Sequence, residues 1–448
     1  MKRHYMFFLR PVALILGLAV AGLAQADAIT DQAKALLTAG KPAAAFELLL
    51  PFESQRAGEV EFDLLLGIAA LDAGHNTSAV FALERVLAVD PNNSRARAEI
   101  ARAYLALGET QTAKQQFETV KGQPVPEEVK RTIDKFLSAI ERSEDEGRTT
   151  VKGYAEFTYG RDSNVNSTVS GKDVAIPAFG GALITLAAAG VKQSDDFTTY
   201  AGGANLRMPL SNGLALVGGM SASKRMNGQW DIFDTGSWDG NLGLALARDK
   251  DVFSLSAQVG TFYVDDKRYR DAWGLSGQWQ HNYDQRTQAT AFLQYSDLAY
   301  PLPAQNYAGK KRDATRWVGG LGFAHALSDF RTVFYGSVYV GYEQPRASQI
   351  DEIGYRINGV RGGGQYKFSD DWSAFANVSY EHRGYRGIDL FFLQKRHDGA
   401  WNAGFGAVYV PAKDWKITPQ YQYTRNDSNV ATSDYKREVL SITVRRDF

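Results

Sequence analysis

The residue types that carry most enzyme chemistry are sparse in this 448-residue chain and form no recognised pattern. The chain has neither a Gly-x-Ser-x-Gly elbow nor a phosphate-binding loop, and the glycine run 362–364 is typical of close strand packing. The absence of cysteine excludes disulfides, thiolate-bound zinc and iron–sulfur clusters. None of the histidines after residue 26 belongs to a His-Glu-x-x-His pair; they are His75, His281, His325, His382 and His397. The sequence therefore predicts no enzyme, no catalytic residue, no metal site and no cofactor.

Charge and aromatic content divide the chain into two regions. Residues 27–148 carry 20 acidic and 14 basic side chains, a net charge of −6, and only seven aromatic residues. Residues 149–448 carry 30 acidic and 33 basic side chains and 44 of the 54 aromatic residues. Neither region has the strong positive charge of a nucleic-acid-binding protein, so no nucleic-acid partner is predicted.

The first 26 residues have the pattern of a secretory signal peptide. Lys2, Arg3 and Arg10 precede the apolar run 12–22, and Ala-Gln-Ala at 24–26 supplies the small-x-small cleavage pattern. The alternative is a retained anchor helix, but the apolar run is short for a membrane span. We expect a signal peptide at 1–26 and a mature chain that starts at Asp27.

A 34-residue period follows, which indicates a helical repeat. Three glycines and three alanines recur at this spacing: Gly40, Gly74 and Gly108, and Ala45, Ala79 and Ala113. The pattern resembles the tetratricopeptide repeat, in which the glycine permits a tight turn and the alanine permits close helix packing. A final amphipathic helix at 127–142 has the character of a solenoid cap. We expect a periplasmic repeat domain over 27–146.

Three charged residues are candidates for the concave face of this repeat domain, which is expected to hold a peptide or another protein. In the repeat register, Glu61, Arg95 and Arg102 face the groove. The alternative is that they belong to an ordinary solvated helix surface. The acidic balance of the domain favours a basic partner segment.

From Val151 the apolar periodicity changes from 3.6 to 2, which indicates strands. In 414–425, Trp415, Ile417, Tyr421 and Tyr423 alternate with polar residues, as in an outer-membrane barrel whose apolar face meets lipid. The strand length, the aromatic density and the continuation to the last residue favour a barrel over a soluble sandwich. The predicted class is α+β multidomain, with helical repeats followed by a 14-stranded antiparallel transmembrane barrel at 147–448. The strands are expected near 150–160, 196–209, 212–225, 234–247, 251–265, 268–281, 285–298, 312–326, 330–344, 355–368, 371–385, 395–410, 413–426 and 434–448.

The connections and the last residue predict orientation and assembly. Short turns alternate with longer connections, and short turns of bacterial barrels lie on the periplasmic side. Phe448, after alternating Leu440, Ile442 and Val444, resembles the carboxy-terminal signal by which bacterial barrels are recognised for insertion. That resemblance implies the barrel-assembly machinery and outer-membrane lipids as partners. Arg446 departs from the pattern, and its side chain is expected to reach the headgroups.

Two rim motifs extend the resemblance to a family. Segment 153–157 reads Gly-Tyr-Ala-Glu-Phe, segment 159–166 reads Tyr-Gly-Arg-Asp-Ser-Asn-Val-Asn, and segment 425–430 reads Arg-Asn-Asp-Ser-Asn-Val. Together with the signal peptide, the repeats and a barrel that ends in Arg-Arg-Asp-Phe, they resemble the surface lipoprotein assembly modifier family. The resemblance implies an outer-membrane translocon that carries client surface lipoproteins, or related secreted proteins, from periplasm to cell surface.

The rim motifs allow a structural and a functional interpretation. Asp162, Asn164, Asp427 and Asn429 are ordinary strand terminators on one interpretation, because Asp and Asn bond to nearby backbone. On the other, they lie on the extracellular rim beside the barrel seam and regulate its opening or the exit of the client. The loop 161–195 contains the apolar, uncharged run 174–191. This run is expected to form a lumen plug, a client contact, a membrane-interface segment, or an extension of the first two strands into a hairpin above the membrane.

Two other functions remain open from the residues alone. A passive porin also has charged lumen residues, although it does not need a protein-docking domain. A polysaccharide exporter also joins tetratricopeptide repeats to a barrel, although its helical array is typically much longer.

Overall fold

The computed structural model describes residues 28–448, and these form two compact units. The first unit ends at Gly147 and the second comprises Arg148–Phe448. The predicted signal peptide at 1–26 and the predicted first mature residue, Asp27, lie outside the described residues. Within 28–448, no helix has both the length and the apolar character that a membrane span requires.

Antiparallel helix pairs build the first unit. Gly40, Gly74 and Gly108 have φ values of 69°, 89° and 82°, so each turn uses a backbone conformation that favours glycine. The three alanines of the 34-residue period have no exposed surface. These observations confirm the predicted tetratricopeptide packing. The helices are α1 Ala28–Thr38, α2 Pro42–Leu49, α3 Glu53–Arg56, α4 Val60–Asp72, α5 Asn76–Val89, α6 Ser94–Ala106, α7 Thr110–Lys121 and α8 Glu127–Glu146.

A buried carboxylate holds three of these helices together. Asp63 on α4 is fully buried and accepts hydrogen bonds from the backbone N–H of Gly58 at 2.7 Å and from Arg85 Nη2 at 2.7 Å. Arg85 on α5 also donates to Glu53 on α3 at 3.0 Å. The hydrogen bond to Asp63 raises the pKa of Arg85 above its ordinary value, although partial burial opposes this change. The cluster therefore stays charged, and each partner compensates the burial of the other.

The second unit is a closed antiparallel barrel of 14 strands, as predicted. The first barrel strand, β1 (Thr150–Asp162), pairs with β4 (Asp195–Ser211) on one side and with the last strand, β16 (Tyr435–Asp447), on the other, which closes the sheet. The barrel strands are β1 Thr150–Asp162, β4 Asp195–Ser211, β5 Leu214–Asn227, β6 Thr235–Arg248, β7 Asp251–Val264, β8 Lys267–Asn282, β9 Thr287–Ala299, β10 Ala314–Ala326, β11 Thr332–Pro345, β12 Tyr355–Lys367, β13 Trp372–Ile388, β14 Lys395–Tyr409, β15 Trp415–Ser428 and β16 Tyr435–Asp447.

Aromatic side chains form clusters near both ends of the outward face. Toward one end, the ring of Tyr295 lies 5.6 Å from Trp273 and 4.9 Å from Trp317 on the neighbouring strands. Toward the other end, Trp372 stacks on Tyr409 at 4.6 Å. Exposed leucines and valines lie between these levels. This is the pattern of an apolar band bounded by two aromatic girdles, which lipid contact requires.

The connections differ between the two ends of the barrel. β1 begins and β16 finishes at the end where short turns join β4 to β5 and β6 to β7. At the other end the connections range from two residues, between β7 and β8, to the 32 residues 163–194 between β1 and β4. The long connection contains two strands that the predicted strand set did not include, β2 Asp173–Ile176 and β3 Ala182–Thr185. They pair only with each other among the described strands.

We predict that Asp63→Ala destabilises the helical unit by about 3 kcal/mol, because the substitution leaves the Arg85 guanidinium without its buried partner. Helical ellipticity during urea unfolding of the detergent-solubilised protein measures this change. Glu61→Ala is the control, because it removes an exposed carboxylate on the same helix and is expected to cost less than about 1 kcal/mol. Equal unfolding midpoints for the two variants would contradict the role of Asp63.

Candidate functional site

The three predicted groove residues differ in how far their charges are already used. Glu61 on α4 is exposed and forms an ion pair with Lys34 on α1. Arg102 on α6 pairs with Asp72 on α4, with 2.9 Å between Nη2 and Oδ1, and also with Glu99. Glu61 and Arg102 therefore both connect helices of successive repeats.

Arg102 is largely a structural residue in this arrangement. Burial lowers its pKa, but attraction to Glu99 and Asp72 outweighs burial and raises the pKa above the ordinary value. The guanidinium is thus held charged between two carboxylates. This geometry favours the packing interpretation of Arg102 over a free client contact.

Arg95 is the groove residue that keeps unused hydrogen-bonding capacity. Its Nε is buried and has no hydrogen-bond partner among the described residues. A buried donor without a partner is costly, so it marks a position where an acceptor from another molecule would be stabilising. The Nε of Arg97, two residues along the same helix, is likewise buried without a hydrogen-bond partner among the described residues. The terminal nitrogens of Arg97, however, donate from Nη1 to Gln116 at 2.8 Å and from Nη2 to the carbonyl of Pro91 at 2.6 Å.

The seam between β1 and β16 is closed by a continuous backbone ladder. The register runs from Tyr154 opposite Asp447 to Asp162 opposite Val439. Beyond it, the amide of Phe448 donates to the carbonyl of Gly153 at 2.8 Å. Phe448, the predicted insertion signal, therefore ends the ladder with its side chain exposed. The guanidinium of Arg446 lies 5.0 Å from the centre of the Phe448 ring and 5.4 Å from that of Trp415, so aromatic rings stabilise its charge at the barrel end.

Side chains on the lumen face add polar contacts across the same seam. Asp162 accepts hydrogen bonds from Arg437 Nη2 at 2.6 Å and from Arg437 Nε. The hydroxyls of Thr158 and Thr443 lie 2.8 Å apart. Near the other end, Arg445 Nη1 donates to Glu156 at 2.7 Å. Side-chain hydrogen bonds and ion pairs therefore cross the seam near both of its ends and in its middle.

Asp162 also links the seam to a third strand. Arg225 on β5 donates from Nη2 to Asp162 at 2.7 Å, and its guanidinium stacks 3.8 Å from the ring centre of Phe197 on β4. Asp162 is fully buried, so two arginines and the amide of Asn164 compensate its charge. Sequence reasoning identified Asp162 but missed Arg225 and Arg437, because the three residues are distant in sequence and belong to no local motif.

Asn164 completes the connection above the strand end. Its Nδ2 donates to the carbonyl of Lys436 at 2.9 Å and to that of Thr168 at 2.8 Å, while its Oδ1 accepts from the amide of Thr168. The side chain is fully buried. Asn164 therefore fixes the start of the long loop onto β16, across the seam.

The structure does not bring Asp427 and Asn429 to the same contacts. Asp427 is exposed and accepts from Arg425 two residues earlier. Asn429 donates to the carbonyl of Lys395 at 2.9 Å and accepts from the amide of His397, so it connects to β14. These two residues lie one strand away from the seam and do not bridge it. Their geometry favours the strand-terminator interpretation.

The uncharged run 174–191 folds into the short β2–β3 hairpin. The loop that carries it is fastened at its base, where Asn166 donates to the carbonyl of Val191 at 2.7 Å. At its tip, the amide of Ala178 donates to the carbonyl of Phe391, in the loop between β13 and β14. Residues of this loop line neither of the two lumen cavities described next. The run therefore forms a hairpin, but the expectation that it extends the first two barrel strands is wrong, because β2 and β3 form a separate two-stranded sheet.

The lumen has a hydrophilic wall. A cavity of about 940 Å³ is lined by neutral amides and hydroxyls together with charged residues such as Glu381 and Arg445, each of which forms an ion pair with a neighbour. Its neutral polar residues include Asn205, Ser221, Asn241, Gln258, Gln294 and Ser296. A second cavity of about 480 Å³ has a similar lining, with Gln288, Thr290, Ser337, Asn377 and Ser379. Such a surface is compatible with water and with polar groups of a polypeptide.

Two of the four histidines outside the helical unit form local side-chain contacts. His281 Nδ1 lies 2.8 Å from Asp251, and His325 Nδ1 lies 2.9 Å from the hydroxyl of Thr287. Within the described part of the chain, no three His, Asp or Glu side chains are grouped so that they could hold a metal ion.

The two units of the chain match two different family models. A family model described as "Surface lipoprotein assembly modifier" matches residues 152–448. A tetratricopeptide-repeat model matches residues 70–131. A surface lipoprotein assembly modifier of Moraxella catarrhalis is 23% identical over 416 residues, which are 89% of this chain and 76% of that protein.

Solved structures resemble the chain in parts. A FadL homologue of Pseudomonas aeruginosa is 11% identical, with a TM-score of 0.38, and the similarity covers 67% of this chain and 90% of that chain. OmpT of Vibrio cholerae is 11% identical, with a TM-score of 0.39, over 67% and 98% of the two chains. The type III secretion translocator chaperone SycD of Yersinia enterocolitica is 19% identical, with a TM-score of 0.24, over 26% and 92%.

We predict that Asp162→Asn destabilises the barrel by about 3 kcal/mol, because two partly buried guanidinium groups lose their shared carboxylate. The measurement is urea unfolding in lipid vesicles, followed by the gel mobility of the folded barrel. Asp427→Asn is the matched control, and its free energy of unfolding should change by less than about 1 kcal/mol because Asp427 is exposed. The structural role assigned to Asp162 is contradicted if both variants unfold at the wild-type urea concentration.

Proposed function

The chain belongs to the surface lipoprotein assembly modifier family, and on this premise we propose that it is an outer-membrane translocon for client proteins. In this proposal the clients are surface lipoproteins or related secreted proteins. They move from the periplasm to the cell surface, the helical repeats bind them first, and the barrel lumen is their path. The observation that carries the proposal is the family match, which extends over the whole barrel from residue 152 to residue 448.

The proposed orientation places the repeats in the periplasm. The chain enters the barrel at the end that carries the short turns, and β16 finishes at that end. Short turns face the periplasm in bacterial outer-membrane barrels. The long connections, including 163–194, then lie outside the cell. The barrel-assembly machinery would insert the chain through the terminal strand and Phe448.

Two features support passage through the lumen rather than through the wall. The lumen cavities are lined by amides and hydroxyls, by apolar and aromatic side chains, and by charged residues of both signs, of which Glu381 and Arg445 are ion-paired. A moving polypeptide meets polar groups along this path. The seam, by contrast, is fastened by Asp162 with Arg437 and by Glu156 with Arg445. In lipid, opening it would leave backbone groups of both strands without partners, at a cost of several kcal/mol for each group.

Client docking on the repeats has a specific candidate contact. The buried, unpartnered Nε of Arg95 would donate to a backbone carbonyl or a carboxylate of the client. Arg102 and Glu61 would shape the groove through their ion pairs with Asp72 and Lys34. The net charge of −6 over residues 27–148 favours client segments that are basic overall.

A passive porin is the second candidate, because the hydrophilic lumen also suits small solutes. The discriminating feature is the helical unit, since a solute channel needs no domain of this kind. A porin would conduct ions at a steady level in planar bilayers without any client, and its removal from cells would leave lipoprotein display unchanged.

We predict that deletion of the gene reduces the surface display of a client lipoprotein from the same genome at least tenfold, while its total amount changes little. Protease treatment of intact cells measures display, and immunoblotting of lysed cells measures the total. The control is complementation with the wild-type chain, which should restore display. Unchanged protease sensitivity in the deletion strain would remove the translocon proposal.

We also predict that Arg95→Ala weakens binding of the client to the purified full-length protein about tenfold, because a hydrogen bond that involves a charged group contributes roughly 1.5–3 kcal/mol. Arg97→Ala is the matched comparison: it changes the same residue type on the same helix, and its Nε is also buried without a partner among the described residues, but its terminal nitrogens already bind Gln116 and Pro91, so its loss should weaken binding less than twofold. Fluorescence anisotropy of a labelled client measures both affinities. Equal affinities for the two variants would exclude Arg95 as a docking residue.

A further inference from the structure

The β2–β3 hairpin has an unpaired strand edge at the end of the barrel with the long connections. β3 pairs with β2 from Ala182 opposite Ile176 to Thr185 opposite Asp173. It has no second partner among the strands that the structure describes, so its outer edge offers backbone groups without strand pairing. Such an edge is a template for an additional strand.

Exposed apolar side chains lie on this hairpin and on the neighbouring loop 389–394, which contacts the hairpin turn. Leu183 on β3 is 73% exposed, and the ring of Phe179 at the hairpin turn lies 6.4 Å from that of Phe391 in the neighbouring loop. No residue from 174 to 191 carries a charge. The exposed set, which we call the hairpin patch, comprises Phe179, Leu183, Ile184, Leu390, Phe391 and Leu393. A cluster of this kind, held on two loops in contact, is typical of an interaction site.

The position of the hairpin patch excludes bilayer lipid as its natural occupant. On β13, the outward aromatic level is set by Tyr380, whose ring lies 4.7 Å from Trp401. Strand β13 continues for eight residues beyond Tyr380, to Ile388. At about 3.3 Å per residue and a tilt of about 40°, this places the loop roughly 20 Å beyond the aromatic girdle. The patch thus stands in water.

A second copy of this chain is a poor occupant because the edge is short. Four residues of β3 paired with the same four of another molecule would bury a few hundred Å², well below the roughly 1,000 Å² of a stable interface. A polypeptide that leaves the same barrel needs a much lower affinity for the β3 edge than a second copy does. Its effective concentration at this end of the barrel is on the order of millimolar, because it is already held in the lumen. It is also extended, so its backbone is free to pair.

We propose that the β3 edge and the hairpin patch bind an extended, uncharged, apolar segment of the exported client, which adds to the β2–β3 sheet as a third strand. Main-chain hydrogen bonds supply the attraction, and the apolar side chains select segments of matching character. The contact holds the emerging chain outside the cell and hinders its return. This inference rests on the proposed function and assigns the hairpin patch as its exit site.

The test is photo-crosslinking in intact cells that export a client lipoprotein from the same genome. A photoreactive phenylalanine analogue is placed at position 183 of the full-length protein, and a matched strain carries it at position 232. Ile232 is 43% exposed in the connection between β5 and β6, at the same end of the barrel. We expect a client adduct from position 183 during export, at least five times stronger than the adduct from position 232.

Substitution supplies the second readout. Leu183→Asp should slow client display about fivefold, because a carboxylate opposes an apolar strand at this edge, whereas Ile232→Asp should change it less than twofold. Leu183 is exposed, so the barrel should keep its folded gel mobility in both variants. Three results would each overturn the inference. The first is equal adducts from the two positions, and the second is an adduct only with lipopolysaccharide or with a second copy. The third is wild-type client display by Leu183→Asp. If display does not depend on the protein at all, the proposed function fails; if display depends on it but position 183 gives no client adduct, only the exit site fails.

Discussion

The rest of the structure depends on the requirement that every backbone N–H and C=O in hydrocarbon finds a partner within the chain. The barrel meets this requirement by pairing β1 with β16, so no strand edge is left in lipid. An even number of antiparallel strands then brings Thr150 and Phe448 to the same end. The start of β1 and the predicted insertion signal therefore lie at one end of the barrel, and the long connections lie at the other. Alternation of side chains follows from the same ladder, with aromatic and aliphatic residues outward and polar residues inward.

Some charged residues of this protein are buried and bound to charged partners within the chain, so they are not available for recognition of another molecule. Asp63 and Asp162 are fully buried and are compensated by arginines from other elements, Arg85 in one case and Arg225 with Arg437 in the other. Such pairs are structural, since removal of one partner leaves an uncompensated charge. In the proposed function, the surfaces that remain for a client are those with unused capacity: the Nε atoms of Arg95 and Arg97, the lumen wall and the uncharged hairpin with its open edge.

Periodicity and turn chemistry made most of the fold predictable. The 34-residue spacing of Gly40, Gly74 and Gly108 predicted the helix pairs, because a positive φ at each turn requires a residue such as glycine. Period-2 alternation predicted all 14 barrel strands to within a few residues. The contacts of Asp162 were not predictable, since Arg225 and Arg437 lie 63 and 275 residues away and pairing of that kind depends on barrel closure. The strands β2 and β3 were also missed, because four residues are too few to establish a period, although the uncharged run had marked the loop as unusual.

The central claim is that the client crosses through the lumen of a barrel whose seam stays closed. Thr158 and Thr443 lie directly opposite each other across that seam, with their hydroxyls 2.8 Å apart. Directly opposed residues of an antiparallel pair have Cα atoms about 4.5–5.5 Å apart, which is within the range of a disulfide. The chain has no cysteine of its own, so Thr158→Cys combined with Thr443→Cys would lock the seam alone. The decisive measurement is the rate of client display in intact cells with this disulfide oxidised and then reduced. Passage through the lumen predicts equal rates in the two states; display that stops on oxidation and returns on reduction would contradict it.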